Sequence, residues 1–127
     1  MDDRRSLFAT FVALLLFGTV AVGSGCVLSL LMSIGPGAEQ VWAQAGTQLS
    51  LASRLALAAS RLLVQSYVPA LAIAGALHLF LLVFDLWAGR TPARLLWAAT
   101  LTCFIVTAEL MVLLWLAIAF VLPLLAP

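Results

Sequence analysis

The sequence predicts an all-α integral membrane protein, with three transmembrane helices and one further amphipathic or extramembrane helix between the first and the second. Of the 127 residues, 65% are hydrophobic and 9% are charged, whereas a soluble domain is about half apolar and about a quarter charged. The apolar residues form three runs, each longer than the roughly 20 residues that cross a bilayer. No polar stretch is long enough to enclose a soluble core, so residues 1–127 form a single membrane domain.

The first predicted span covers residues 6–33, and the motif GPG at residues 35–37 is expected to end it, because proline lacks an N–H donor and glycine frees the backbone. The apolar run continues past Cys26, which favours a retained helix over a cleaved or lipidated leader. Cys26 and Cys103 both lie in apolar spans, at depths that differ by roughly 18 Å. We therefore predict two free thiols.

The segment of residues 38–61 separates the first two spans and is more polar than either. Its glutamines alternate with apolar residues at helical spacing. This pattern predicts an amphipathic helix at the membrane interface, or an extramembrane start to the second span. The alternative is a fourth span over residues 45–61, which Arg54 and Arg61 make costly.

The second predicted span covers residues 62–88, and Pro69 within it is expected to kink the helix. A short polar turn follows, in which Pro92 suits the first position of a new helix. The third predicted span covers residues 93–122 and is expected to stop at Pro123.

The placement of arginine predicts the orientation, because positively charged loops stay in the cytoplasm. Four arginines lie on the side of the N-terminus and the 89–94 turn, and two lie on the other side. We predict a cytoplasmic N-terminus and a periplasmic C-terminus in a bacterial inner membrane, the bacterial origin being inferred from a chain without lysine and rich in alanine and leucine. The net charge of +1 gives no footprint for nucleic acid, so the expected partners are membrane lipid and other integral membrane subunits.

One histidine and two carboxylates stand inside the predicted spans: His78, Asp85 and Glu109. Counted from Pro92 as the tip of the hairpin, His78 lies fourteen residues before and Glu109 seventeen residues after, so their depths agree within about one turn. We predict that they form an intramembrane polar pair, facing each other or one shared partner group, because an unpaired carboxylate there is expensive. Asp85 is predicted near the cytoplasmic interface, within reach of Arg90 or Arg94.

His78 has one structural and several functional interpretations. A buried histidine–glutamate pair can hold helices together without chemistry. The imidazole can also be an axial ligand of a haem, with the second ligand from another chain. It can hydrogen-bond a quinone, or belong to a proton or ion path. This chain alone is therefore expected to hold no cofactor, and haem b or a quinone is the alternative.

Small residues in the first span indicate close helix packing. Thr19 and Gly23 are four residues apart, and so are Ala21 and Gly25. This spacing lets helix backbones approach each other closely. It fits packing against the other two spans, or against a partner chain.

The stretch HLFLLVFD, His78 to Asp85, resembles the second helix of the membrane-anchor subunits of the succinate dehydrogenase and fumarate reductase family. The length of the chain and its three spans are also similar to those subunits. The resemblance implies that His78 is a ligand of haem b or lies at a quinone site, in a chain that anchors other subunits.

No catalytic motif is present, neither a phosphate loop nor CxxC, HExxH or a Ser/His/Asp order, so we expect no enzyme activity from this chain. The favoured hypothesis is a non-catalytic accessory subunit of a larger membrane complex, of the redox or energy-transducing kind. One alternative is the haem- or quinone-binding anchor. Another is a small oligomeric transporter or channel that uses Glu109.

Overall fold

The computed structural model describes residues 2–125, with side chains from Arg4 onward, as four helices and no strand. The helices are α1 (Asp2–Ala45), α2 (Leu51–Gln65), α3 (Tyr67–Ala88) and α4 (Pro92–Leu125). Three of them, α1, α3 and α4, are long and apolar enough to cross a membrane. The predicted all-α membrane fold is confirmed, with one short helix between the first two spans; that this helix lies at the interface stays a prediction.

Helices α1 and α4 run in the same direction along the bundle. Ser24 of α1 contacts Glu109 of α4. Eleven residues further along both helices, Gly35 faces Phe120, whose Cζ lies 3.9 Å from where a Cβ on that glycine would stand. Equal advance along both helices gives a parallel pair.

Helices α2 and α3 run in the opposite direction to α1. Ser60 of α2 is hydrogen-bonded to the carbonyl of Leu31, whereas Gly89, just after α3, lies against the carbonyl of Ala9. As the residue number increases from 60 to 89 along α2 and α3, the contacted position on α1 decreases from 31 to 9. Both helices are therefore antiparallel to α1. The break between α2 and α3 is a single residue, Ser66.

Helix α1 continues through the GPG motif, so the prediction that this motif ends the first helix is wrong. Pro36 lies inside a helix of 44 residues, where it removes one backbone hydrogen bond at a cost of about 3 kcal/mol. Tertiary packing offsets that cost. Gly35 is buried against Ser60, and Trp42, only 2% exposed, stacks on Phe120 with 5.9 Å between ring centroids.

Pro69 and Pro123 also sit differently from the prediction. Helix α3 begins at Tyr67, so Pro69 falls in the first turn, where its missing N–H leaves no bond unmade and no kink is required. Helix α4 begins at Pro92, as predicted, and continues past Pro123 to Leu125. A proline so close to the end disturbs only the last turn.

The hydrophobic core lies at one end of the bundle, where α2 packs between α1 and α4. Trp42, Leu57, Leu116 and Phe120 are buried there. Along the spanning segments most large side chains are exposed, for example Phe104 at 74%. Such a surface suits lipid or another membrane chain.

Candidate functional site

Glu109 lies against the first spanning helix. The Ser24 hydroxyl donates a hydrogen bond to Glu109 Oε1 over 2.5 Å. The second oxygen, Oε2, is enclosed and has no hydrogen-bond partner among the described residues. Gly23 makes room for the carboxyl group, because a Cβ at this position would stand 2.8 Å from Glu109 Cδ.

Small residues are what allow this contact. A glycine followed by a serine lets a long side chain of α4 lie directly on the backbone of α1, as small residues do between membrane helices. An enclosed oxygen without a partner costs on the order of 1–3 kcal/mol. The arrangement therefore joins α1 to α4 through one strong bond and leaves the other oxygen unsatisfied.

His78 lies at the edge of the bundle, between α3 and α1. Its Nδ1 is 2.7 Å from the Ala74 carbonyl oxygen, which can only accept, so Nδ1 carries the proton and donates. Phe17 of α1 packs on the imidazole edge to face, with 6.2 Å between ring centroids. The other ring nitrogen, Nε2, makes no hydrogen bond with any described residue and is not among the enclosed polar atoms. It therefore faces the surroundings of the bundle.

The predicted pairing of His78 with Glu109 is not formed. His78 contacts Phe17, whereas Glu109 contacts Ser24, and these two positions are about 10 Å apart along α1. The error came from taking Pro92 as the tip of the hairpin. Measured from the helix ends at Ala88 and Pro92, His78 is about 15 Å deep and Glu109 about 26 Å deep.

Asp85 is buried, at 4% exposure, but the predicted partner from the turn is absent. Arg94 instead lies over the Trp87 ring, 4.2 Å from its centroid, and within residues 4–125 Arg90 forms no ion pair. The guanidinium group of Arg94 is therefore placed on an aromatic face rather than on a carboxylate.

The predicted packing residues divide between the inside and the outside of the bundle. Gly23 faces Glu109, but a Cβ on Gly25 would meet nothing within 4 Å. Thr19 is exposed and its hydroxyl bonds back to the Leu15 carbonyl over 2.8 Å. Ala21 is half-buried. Internal packing thus uses one of the four residues fully, and Gly25 and Thr19 stay on the outer surface.

The cysteines are free thiols, as predicted, and both are exposed. In the part of the chain that the structure describes, no group of three histidine, cysteine or acidic residues could hold a metal ion. The site residues therefore offer hydrogen bonds, and one imidazole nitrogen, to anything that docks from outside.

Two sets of contacts were missed at the sequence level. Ser53 and Ser60 of α2 are buried and donate to the carbonyls of Ala119 and Leu31, over 2.8 and 2.6 Å. Their signal was available, since both fall seven residues apart on one face of an otherwise apolar helix.

Outside the bundle, Arg61 pairs with Glu39, its Nε donating to Oε2 over 3.1 Å. The hydrogen bond to that carboxylate raises the pKa of Arg61, and the negative charge of Glu39 is a smaller cause in the same direction.

In comparisons with protein-family models, curated proteins and solved structures, no match to this chain is found.

Proposed function

We propose that this chain is a non-catalytic accessory subunit of a larger membrane complex of the redox or energy-transducing kind, in a bacterial inner membrane with its N-terminus in the cytoplasm. The observation that carries the proposal is the free Nε2 of His78. It belongs to a half-buried side chain of a spanning helix and is not fully enclosed, and it lies about 18 Å from Arg90 along the chain.

A hydrocarbon environment has nothing to offer this nitrogen. A polar group without a hydrogen bond in lipid costs several kcal/mol. The exposed threonines on the spans avoid this cost by bonding to their own helix, as Thr107 does with the Cys103 carbonyl over 2.7 Å. Because Nδ1 of His78 already donates to Ala74, Nε2 of the neutral ring is an acceptor. Its partner is therefore a hydrogen-bond donor from another chain.

The first helix presents a surface on which such a chain can pack. A Cβ on Gly18 or on Gly25 would meet no atom within 4 Å, and these glycines stand two turns apart on α1. Their exposed backbone permits close approach by a second helix, from which membrane helix pairs gain dispersion energy. Thr19, which is exposed between them, adds a hydroxyl to the same region.

The test is isolation of the native complex from membranes in mild detergent. We expect the tagged chain to migrate with other integral membrane subunits. His78→Leu should reduce that assembly by about tenfold, because the loss of a buried hydrogen bond to a partner costs about 1–2 kcal/mol. Thr107→Val is the matched control, since Thr107 is equally within a span but is satisfied by its own helix. Migration of the wild-type chain alone, at the mass of one copy, would contradict the proposal.

A second candidate, the haem b- or quinone-binding anchor, rests on the same nitrogen. An imidazole whose Nδ1 donates to a backbone carbonyl presents its Nε2 lone pair outward, which is the arrangement that metal-bound histidines use. Here the absorption spectrum of the purified complex decides. Haem should give its reduced-minus-oxidised bands, and His78→Leu should abolish them while Glu109→Leu leaves them nearly unchanged. A complex that assembles through His78, but shows no such bands and has no quinone in its lipid extract, would exclude the haem- or quinone-binding anchor. The accessory role would then be the remaining candidate.

A further inference from the structure

A cleft opens between the N-terminal end of α1 and the turn that joins α3 to α4. It has a volume of about 1070 Å³. Three arginines, Arg4, Arg5 and Arg90, line it together with hydroxyl-bearing and apolar residues. We propose that this cleft binds the phosphate headgroup of an anionic glycerophospholipid.

The charge on the cleft is not used within the protein. Arg4, Arg5 and Arg90 are all exposed, and over residues 4–125 none of their guanidinium groups has a carboxylate partner; the ion pair that the structure describes is Arg61 with Glu39. Asp2 and Asp3 precede these arginines in sequence, so the three positive charges still outnumber the two negative ones. A guanidinium group matches the geometry of phosphate oxygens and can bind them in pairs.

The walls of the cleft change from polar to apolar. Thr91, next to Arg90, is also part of the lining. Phe8 of α1, Leu86 of α3 and Leu95 of α4 supply an apolar surface. A phospholipid has the same division, with an anionic phosphate above two acyl chains.

The position of the cleft selects a lipid over a dissolved anion. It lies where two spanning helices, α1 and α4, begin and where a third, α3, ends. On the arginine-rich side of a bacterial membrane this is the depth of the headgroups, and basic pockets between helices on that side bind anionic lipid. At that depth an anionic lipid reaches a local concentration that no soluble phosphate reaches. Phosphatidylglycerol is therefore the probe that we choose.

The floor of the cleft is a close contact between α1 and the turn. A Cβ on Gly89 would stand 3.3 Å from the Ala9 carbonyl oxygen. That contact holds the N-terminal end of α1 beside the hairpin, so the three arginines surround one space rather than pointing into separate regions of solvent.

The experiment is native mass spectrometry of the full chain released from detergent micelles that contain phosphatidylglycerol or phosphatidylcholine at equal concentration. We expect phosphatidylglycerol adducts to be retained and phosphatidylcholine adducts to be lost. Arg90→Gln should weaken phosphatidylglycerol binding about fivefold, the effect of about one interfacial arginine, and the triple change of Arg4, Arg5 and Arg90 to glutamine should weaken it on the order of 100-fold.

Arg94→Gln is the matched control. Arg94 lies in the first turn of α4, close to Arg90 in sequence, and carries the same charge, but its guanidinium group lies over Trp87 and it does not line the cleft. Its replacement should change binding by less than about twofold. Equal losses in Arg90→Gln and Arg94→Gln would show nonspecific attraction of the interface and overturn the proposal.

A second arm distinguishes lipid from free anion. Glycerol 3-phosphate, which has the headgroup chemistry without acyl chains, should not displace phosphatidylglycerol even at a hundredfold excess. Displacement at comparable concentrations would mean that the cleft recognises a soluble phosphate, and would overturn the assignment to lipid. Retention of helicity by circular dichroism in each glutamine variant is required, because it excludes loss of the fold as the cause of weaker binding.

Discussion

Ser24 and Glu109 are joined by a hydrogen bond of 2.5 Å that connects the first spanning helix to the last. Over the described residues it is the one hydrogen bond between side chains of two spans. Its donor follows a glycine, so the carboxyl group reaches the helix surface without obstruction. A membrane bundle has little hydrophobic driving force between its helices, and contacts of this kind therefore decide how α1 sits on α4.

The clearance above Gly23 can be tested with a single methyl group. Gly23→Ala should lower the free energy of unfolding by about 1–3 kcal/mol, because the new Cβ would overlap Glu109. Gly25→Ala is the control: its Cβ meets nothing within 4 Å, and alanine improves helix propensity by up to about 1 kcal/mol. Reversible unfolding in mixed detergent micelles measures both. Equal stability of the two variants would contradict the contact.

In the assembled membrane complex, Gly23→Ala and Gly25→Ala also test whether another helix packs on α1. If another helix packs on the exposed face of α1, Gly25→Ala should reduce assembly of the complex while the chain itself is as stable as before. Gly23→Ala should affect the chain first and assembly only through it.

The partner of Glu109 can be identified by a double-mutant cycle. Ser24→Ala and Glu109→Leu should be coupled by about 0.6 kcal/mol and up to about 1.7 kcal/mol, the range measured for hydrogen bonds between membrane helices. The coupling arises because either change alone removes the same bond. Glu109→Gln should be milder than Glu109→Leu, since the amide oxygen can still accept from Ser24. The measurement is again unfolding in mixed micelles.

A second double-mutant cycle, of His78→Leu with Glu109→Leu, distinguishes the separate contacts seen in the structure from the direct His78–Glu109 pair that the sequence predicts. The two side chains contact α1 at positions about 10 Å apart. Their effects should therefore add within about 0.3–0.5 kcal/mol. A coupling as large as that of Ser24 with Glu109 would restore the direct His78–Glu109 contact and refute the arrangement of helices described above.

The sequence predicted the number of spans well because hydrophobic length is a strong signal: it needs no knowledge of neighbours. Depth was predicted less well. The position of His78 relative to Glu109 depends on which residues form the turn, and counting from Pro92 instead of Ala88 adds four residues, about one turn, to the depth of His78. Ser24 could not be predicted as the partner of Glu109, because the rotation of α1 about its own axis cannot be derived from composition.

Helix ends show the same division between local and tertiary effects. Pro36 and its flanking glycines are local signals for a helix end, and they are overridden here. The deciding interactions, Trp42 on Phe120 and Ser60 on the Leu31 carbonyl, join segments that are far apart in sequence. Propensity is a weak prior against such packing.

A further prediction concerns the attachment of α2. Ser53 and Ser60 are fully buried and each donates to a backbone carbonyl of a longer helix. Changing both to alanine should remove about 1 kcal/mol for each bond and raise amide hydrogen exchange in α2 about thirtyfold, with little change in α3.

The control for this experiment is the double change Ser29→Ala and Ser33→Ala, because these two serines of α1 are exposed. Exchange in α2 should stay at the wild-type rate. Faster exchange throughout all four helices in the Ser53/Ser60 variant would instead mean that α2 is required for the whole bundle, and would contradict its role as a locally attached element.

Orientation is tested by a membrane-impermeant maleimide on intact spheroplasts. Gln44→Cys places a thiol at the exposed C-terminal end of α1, and Ala93→Cys places one at the exposed start of α4. The four-to-two arginine split predicts that the thiol at 44 is labelled directly and that the thiol at 93 is labelled only after lysis. The native Cys26 and Cys103 should stay unlabelled in both conditions, because both belong to spanning helices and a charged, impermeant reagent does not enter the hydrocarbon region. Labelling at 93 before lysis, with 44 protected, would invert the topology and would move the arginine-lined cleft to the opposite face of the membrane.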